Sequence, residues 1–142
     1  DISERSVSFA RQLAEARHVD ASFFQADALG GLETRAYDAV VNTLFLHHLE
    51  DQAIVRFLTT LREAKHVVIS DLVRSKFAYA ATWAGVRLLS RSKVVHVDGP
   101  LSVRAALTRA ELCELAEQAE LTGAEVRRAY PMRQVLVWSK PA

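Results

Sequence analysis

Two short and almost entirely apolar segments, separated by an amphipathic helix, most constrain the fold of this chain. Residues 37–42 (YDAVVN) and 66–70 (HVVIS) have the length and composition of strands that are buried on both faces. Residues 52–64 lie between them, and Asp51 is a candidate cap for a helix there. The apolar face of that helix would consist of Ile54, Phe57, Leu58 and Leu61. A strand, a helix and a second strand in this order predict a parallel pair with a right-handed crossover.

The segments before the first of these strands predict one more helix and one more strand. Ser3 is a candidate N-cap for a helix over residues 4–17. Residues 21–25 are short, contain two phenylalanines and are typical of a strand. Asp27 follows directly, and Gly30-Gly31 indicates a turn. The pattern up to this point is therefore helix, strand, turn.

The stretch over residues 72–107 is less regular and predicts a helical insert, with a turn at Asp98-Gly99-Pro100. Thr108 and Glu111 have the spacing of a capping box, T-x-x-E, in which each residue's side chain bonds the other's backbone N–H. They indicate the start of another helix, which Gly123 would close.

Two further strands end the chain. Residues 124–130 and 134–139 both have strand composition, and the three-residue link between them predicts an antiparallel hairpin. Strands that alternate with helices and end in a hairpin predict an α/β fold. The expected architecture is a three-layer, doubly wound, Rossmann-like and mostly parallel sheet with a C-terminal antiparallel hairpin.

Composition excludes several classes of protein. The chain has 18 Lys and Arg against 17 Asp and Glu, and we find no basic stripe, so no nucleic-acid partner is expected. Cys113 is the only cysteine, which excludes a disulfide framework and a cysteine-rich metal site and favours a reducing, cytoplasmic location. No apolar run approaches the roughly 18 residues of a membrane span.

Polar residues stand where three predicted elements meet one edge of the sheet. Asp1 lies where a buried strand would run into a helix, Asp27 follows the strand-like segment, and Asn42 ends another strand. In open α/β sheets, ligands bind in the crevice at the carboxyl ends of strands, where an acid often holds the ribose hydroxyls of a nucleotide. Each residue also has an ordinary alternative as a helix cap or turn residue.

Six short motifs recur along the chain in a characteristic order and spacing: D-I-S-E (1–4), Q-A-D-A-L (25–29), Y-D-A-V-V-N (37–42), L-H-H-L-E-D (46–51), V-V-I-S-D (67–71) and L-T-R-A-E-L (107–112). In these motifs the chain resembles the class I S-adenosylmethionine-dependent methyltransferases along its whole length. It is most similar to the small-molecule branch that includes the ubiquinone- and menaquinone-biosynthesis enzymes.

The resemblance implies S-adenosylmethionine as the cofactor and assigns roles to five residues. Asp1 would accept hydrogen bonds from the ribose hydroxyls, and Ile2 would pack on the adenine face. Asp27 would accept from the adenine amine, and the backbone N–H of Ala28 would meet a ring nitrogen. The carbonyl of Asn42 would receive the methionyl ammonium. The implied site would thus be a crevice that binds the cofactor through acceptors at strand ends.

The resemblance also implies methyl transfer to oxygen or carbon of a quinone-, polyketide- or phenol-like small molecule. His47 or His48 could be the general base, and the other would be a packed residue beside the cofactor; His47 is also a candidate cofactor contact. The insert over 72–107 would cover the acceptor site. Candidate substrate residues are Asp71, which could equally cap a helix, Tyr79, Trp83 and Arg104. No metal is expected, since no cluster of metal ligands is present in the sequence.

The chain departs from the family in one respect, because it lacks the glycine-rich loop D/E-x-G-x-G-x-G that follows the family's first strand. The expectation is therefore an N-terminally truncated sheet, in which residues 1–142 are the C-terminal part of a single methyltransferase domain. About 60–90 further residues would complete it, and these 142 residues alone would be inactive. Two alternatives stay open, a non-catalytic binding module and a Rossmann oxidoreductase. Association of two copies of the chain into a homodimer is also left open.

Overall fold

A computed structural model describes residues 1–30 and 37–141 of the chain. The chain divides into two compact units, Asp1–Glu33 and Thr34–Ala142. Each unit has its own internal contacts and is described by itself. The prediction of a single domain over residues 1–142 therefore stays a prediction.

The first unit is organised around helix α1, Glu4–Ala16. Ser3 is the N-cap, and its hydroxyl accepts a hydrogen bond from the backbone N–H of Ser6 at 3.3 Å. Val7 and Ala14 are the buried residues of the helix. The helix and its cap thus lie where the sequence predicts them, because a serine precedes a helical apolar face.

The predicted strand over residues 21–25 is wrong, since these residues form no strand. One backbone hydrogen bond ties the segment's end to the chain start, from Ala26 N to the Asp1 carbonyl at 3.0 Å. The Arg11 side chain adds hydrogen bonds to the Phe23 carbonyl. A strand requires a ladder of such bonds with a neighbour, which apolar composition alone does not provide. In the predicted turn, Gly30 N bonds the Asp27 carbonyl, whereas Gly31 lies outside the described residues.

The second unit contains a four-stranded sheet. Its strands are β1 (Ala39–Thr43), β2 (His66–Leu72), β3 (Glu125–Ala129) and β4 (Arg133–Ser139), in the order β1-β2-β4-β3. The β1–β2 pair is parallel, while β2–β4 and β3–β4 are antiparallel. The predicted terminal hairpin is therefore present. Within the described residues, parallel pairing is confined to β1 and β2.

One face of this sheet forms the core of the unit. The buried cross-strand pairs are Val67–Trp138, Ile69–Leu136 and Asp71–Gln134. Burial of both faces does not extend to β1, in which Val41 is 68% exposed. β1 lies at an edge of the described sheet and pairs only with β2 there, so its alternate residues lack packed neighbours.

A short 3-10 turn, Leu46–His48, and helix α2, Asp51–Leu61, connect β1 to β2. The predicted apolar face of α2 is confirmed, and its buried residues are Ile54, Phe57, Leu58 and Leu61. The predicted cap is wrong, since Glu50 is the N-cap and makes no side-chain cap hydrogen bond, while Asp51 is the first helical residue. An acid in the first turn is still favourable to the helix dipole.

The insert forms two helices that pack on each other, α3 (Lys76–Leu89) and α4 (Lys93–Ala105). The turn predicted at residues 98–100 is wrong, because Pro100 lies inside α4 and is buried. Gly99 permits the close packing: a Cβ there would lie 3.1 Å from Val86 Cγ1 and 3.3 Å from Thr82 Cγ2. Tertiary packing thus overrides the local turn preference of Gly-Pro.

The final helix, α5, is Arg109–Gln118, and it begins with the predicted capping box. The Thr108 hydroxyl accepts from Glu111 N, and the Glu111 carboxylate accepts from Thr108 N at 2.7 Å. The helix ends earlier than predicted, at the C-cap Ala119. Gly123 instead takes a left-handed conformation, with φ of 81°, in the turn before β3. The described elements agree with the predicted α/β class.

Candidate functional site

A buried carboxylate at the end of β2 organises the candidate site in the second unit. Asp71 is 3% exposed. Its Oδ2 accepts hydrogen bonds from three consecutive backbone N–H groups, those of Phe45 at 3.2 Å, Leu46 at 2.6 Å and His47 at 3.3 Å. These N–H groups open the 3-10 turn Leu46–His48, which has no other side-chain cap. Asp71 therefore fixes the backbone that follows β1, across the parallel pair of strands.

The same carboxylate holds the imidazole of His47. His47 Nδ1 lies 2.6 Å from Asp71 Oδ1, and His47 is 8% exposed. An ionised carboxylate can only accept, so Nδ1 donates and Nε2 of the neutral ring is left as the proton acceptor. Oδ1 also accepts from Leu72 N at 2.6 Å. The predicted residues Asp71 and His47 are thus brought together as one hydrogen-bonded pair.

His48 has a different environment from its neighbour. Its side chain is exposed, and its ring centroid lies 4.1 Å from that of His47, with the planes tilted by 42°. The structure gives the His48 ring no hydrogen-bond partner among the described residues. Among the described residues, His47 is thus the one of the two histidines whose ring is held by a side-chain hydrogen bond.

Leu44 is a site residue that no motif of the sequence indicates. It has a φ of 54°, in the left-handed region that is unfavourable for a bulky L-residue. Its N–H bonds the Ser70 carbonyl at 2.9 Å, which continues the β1–β2 pairing by one bond. The chain turns at this residue, and the next three N–H groups reach Asp71. No glycine or asparagine signals the left-handed residue in the sequence.

Asn42 lies on β1 opposite Ile69, two residues before that turn. Its side-chain Oδ1 is buried and has no hydrogen-bond partner among the described residues. A buried acceptor without a donor costs about 1–3 kcal/mol. Such an atom is a candidate to accept from a ligand donor. The predicted role of Asn42 used its main-chain carbonyl, so the side-chain oxygen is an additional candidate.

The first unit brings together the residues predicted to read the adenosine. The Ala26 N to Asp1 carbonyl bond is joined by a bond from Gln25 Nε2 to the Ile2 carbonyl at 2.8 Å. The chain start therefore lies beside the segment that leads to Asp27. Ile2 is exposed, as the packing of an apolar side chain on a ligand would require.

The two aspartates of this unit that are predicted to contact the cofactor are held by local backbone N–H groups. Asp1 Oδ1 accepts from Ser3 N at 2.8 Å, and Asp27 Oδ1 accepts from Leu29 N at 2.9 Å. Each of these hydrogen bonds closes a local turn, in which the aspartate side chain accepts from the backbone N–H two residues later, as aspartate commonly does. Ala28 lies within the second turn and is half-buried. The local turns and the predicted ligand contacts use the same side chains, and a carboxylate has capacity for both.

A surface cleft of about 430 Å³ lies where β2 leads into α3. Its lining residues are Arg74, Ser75, Lys76, Tyr79, Val103 and Arg104. Two predicted substrate residues, Tyr79 and Arg104, thus line one cleft. Trp83 does not line it; the Arg87 guanidinium covers the Trp83 ring, with Cζ 4.0 Å from the centroid.

One wall residue of the cleft is tied to the capping box. Arg74 forms an ion pair with Glu111, whose carboxylate also bonds Thr108. The Thr108 backbone N–H, and after it the Thr108 hydroxyl and the Arg74 charge, hold the pKa of Glu111 below its usual value, against the opposing effect of desolvation. The Arg74 charge is therefore partly neutralised. Lys76 and Arg104 have no carboxylate partner among the described residues.

The described residues contain no group of three or more His, Cys, Asp or Glu side chains arranged to hold a metal ion. Among the same residues, no helix combines the length and the apolar character that crossing a bilayer requires.

The first 71 residues of the chain match the family model of the methyltransferase domain, Methyltransf_11. This match spans the segment from Asp1 to the site carboxylate Asp71, with all six predicted cofactor residues, His47 among them, and with His48. No curated protein sequence matches the chain significantly.

Solved structures, two of them named as methyltransferases, have a similar fold. PigF with SAH superposes with a TM-score of 0.68 at 11% identity, covering 97% of this chain and 46% of that one. Magnesium protoporphyrin IX methyltransferase (ChlM) from Synechocystis, with bound SAH, gives 0.65 at 16% identity, covering 99% and 62%. Mitomycin 7-O-methyltransferase MmcR gives 0.63 at 16% identity, covering 96% and 40%.

At these sequence identities the superpositions show similarity of fold alone, and they confirm the predicted Rossmann-like fold class. The chain spans about half the length of the first solved structures that it matches. The family match covers half of the chain, and it confirms the resemblance to the class I methyltransferases, for which S-adenosylmethionine is the methyl donor. This chain belongs to the methyltransferase domain family.

Proposed function

We propose that the protein transfers a methyl group from S-adenosylmethionine to oxygen or carbon of a small quinone-, polyketide- or phenol-like acceptor. One observation carries the proposal. At the end of β2, a buried carboxylate fixes both the turn after β1 and the imidazole of His47. This edge is where open α/β sheets bind their ligands.

The residues that the resemblance assigns to the cofactor fit it chemically, each considered by itself. Its ribose hydroxyls, adenine amine and methionyl ammonium are all hydrogen-bond donors. The predicted contacts at Asp1, Asp27 and Asn42 are all acceptors, and Asn42 Oδ1 is a buried acceptor with no donor in the part of the chain that the structure describes. Donor-rich ligand and acceptor-rich residues are complementary, and a bound ligand would remove the cost of the unpaired oxygen.

When bound, the sulfonium cofactor supplies the methyl group and its activation. The chain's own residues then orient the acceptor and manage its proton. In our proposal, Nε2 of His47 takes the proton from the acceptor hydroxyl, and Asp71 stabilises the imidazolium through Nδ1. Because Asp71 also anchors the turn, the ring is held in one orientation before the acceptor arrives.

Calorimetric titration of the full-length protein with S-adenosylhomocysteine tests the proposal, because residues 1–142 alone are expected to be inactive. We expect binding, and we expect Asp27→Asn to weaken it about tenfold, the effect of one charge-assisted hydrogen bond. The matched control is Asp98→Asn, which changes an exposed acid on α4. Absence of binding by the unmodified protein would refute the proposed function. An equal effect of both substitutions would refute the role of Asp27.

A non-catalytic binding module is the second candidate, and one observation favours it. The Asp71 carboxylate is fully hydrogen-bonded without a ligand, so the pair could serve the fold alone. Such a module would bind S-adenosylhomocysteine, or another nucleotide, without turnover. A methyl-transfer assay with radiolabelled donor and a panel of phenols separates the two. Turnover that is lost in His47→Gln supports the enzyme, and binding without turnover supports the module. Tight binding of a nicotinamide dinucleotide would favour an oxidoreductase instead.

A further inference from the structure

We propose that the cleft at the start of α3 binds the carboxylate of an acidic aromatic molecule. The identity of this molecule as the methyl acceptor rests on the proposed function above. The binding site itself rests on the residues of the cleft and on their charges.

Three cations line one small cleft, and only one of them has a counter-ion. Arg74 pairs with Glu111, whereas Lys76 and Arg104 face the cleft without a carboxylate among the described residues. The cleft therefore carries uncompensated positive charge, which an anion would neutralise.

The position of Lys76 increases this imbalance. Lys76 is the first residue of α3, and the first turn of that helix contains no acidic residue. The start of a helix is the positive end of its dipole, where acids are favourable and cations are not. A cation at this position adds to two neighbouring cations. A bound anion would offset all of these charges at once.

The remaining lining residues indicate what the anion is attached to. Tyr79 presents a ring that is 38% exposed, and Val103 is buried at the wall of the cleft. The cleft volume of about 430 Å³ lies within the range of small-molecule sites. A planar guanidinium such as that of Arg104 matches a carboxylate in two parallel hydrogen bonds. A ligand with an aromatic ring beside Tyr79 and a carboxylate at Arg104 and Lys76 would match both the apolar and the cationic lining of the cleft.

The test is an NMR titration of the ¹⁵N-labelled protein with benzoate, with no cofactor added. We expect saturable shifts of the Ser75, Lys76 and Tyr79 amides. Benzamide, which has the same shape without the charge, should bind about tenfold more weakly or not at all. Inorganic phosphate is the third probe. Equal binding of benzoate and benzamide, or preference for phosphate over benzoate, would overturn the carboxylate site.

Substitutions locate the site. Arg104→Gln should weaken benzoate binding about tenfold and leave benzamide unchanged. Lys76→Gln should also weaken the binding of benzoate. The matched control is Arg87→Gln, which removes an α3 guanidinium that lies on Trp83 and does not line the cleft. If Arg104→Gln and Arg87→Gln have equal effects, the proposed site is wrong.

The two proposals fail in different ways. Binding of benzoate at the cleft without any binding of S-adenosylhomocysteine would leave the anion site and remove the proposed methyl transfer. Binding of S-adenosylhomocysteine without benzoate shifts at residues 75–79 would remove the anion site and leave the proposed function.

Discussion

The strongest prediction concerns Asp71, because one buried carboxylate accepts five hydrogen bonds. Its donors are the backbone N–H groups of Phe45, Leu46, His47 and Leu72 and the imidazole of His47. Asp71→Ala removes the acceptor and leaves three buried and two part-buried donor groups without this partner. Each buried donor that is left without a partner costs about 1–3 kcal/mol, and several are left here. A natural domain has about 5–15 kcal/mol in total, so this variant should be close to unfolding.

Asp71→Asn separates the two jobs of the carboxylate. The amide oxygen can still accept from the N–H groups of the turn, but the amide NH₂ would face two donors, His47 Nδ1 and Leu72 N. We expect a loss of about 1–3 kcal/mol, the cost of unpaired buried donors. The turn itself should survive.

Urea unfolding followed by circular dichroism measures both changes. Asp98→Asn is the control, because it replaces an exposed acid by the same chemical step. We expect Asp98→Asn to stay within about 0.5 kcal/mol of the unmodified protein, as surface substitutions usually do. If Asp71→Ala also lies within that margin, the carboxylate does not organise the turn and the reasoning is refuted.

Three further predictions follow from single residues. His47→Gln should lower kcat of a methyl-transfer assay by about 100-fold or more, while the exposed His48→Gln should have a smaller effect; the reverse order would contradict the assignment of the base. Leu44→Gly should be more stable than Leu44→Ala by about 1–2 kcal/mol in urea unfolding, because both lose the side chain but only glycine relieves the positive φ; equal stabilities would mean that φ is relaxed. The Glu111 pKa is lowered by folding, so its stabilising effect is present above the ordinary glutamate value of about 4.3 and is lost as pH falls through the lowered value; Glu111→Gln should therefore flatten the loss of stability in that acidic window, measured by thermal unfolding, and an unchanged slope would exclude the effect.

Much of the second unit could be predicted from the sequence because its signals are local. The apolar runs of β1 and β2, the apolar face of α2 and the Thr108–Glu111 capping box all lie within a few residues of the structure that they specify. The hairpin of β3 and β4 also depends on a short link. In each case the local hydrophobic pattern or the capping residues are enough to predict the element, and no residue distant in the sequence has to be known.

The predictions that were wrong concern segments whose conformation depends on residues distant in the sequence. Residues 21–25 have strand composition, but a strand exists only where another strand offers a ladder, and composition does not contain that information. The dipeptide at Gly99 and Pro100 favours a turn locally. It lies in a helix because Gly99 packs closely on Val86 and Thr82, which precede it in the chain by more than ten residues.

The site shows the same division between local and distant information. The sequence selects Asp71 and His47 by their positions after strands, but it leaves Asp71 open between capping a helix and facing a substrate. The structure adds the number of hydrogen-bond donors that surround the Asp71 carboxylate. A carboxylate offers about four lone-pair sites, and five N–H donors already occupy Asp71. An acceptor molecule could bond Asp71 directly only by displacing one of them. We therefore expect any influence of Asp71 on the acceptor to pass through His47, so that in a double-mutant cycle on kcat, Asp71→Asn would add little once His47 has been replaced by glutamine.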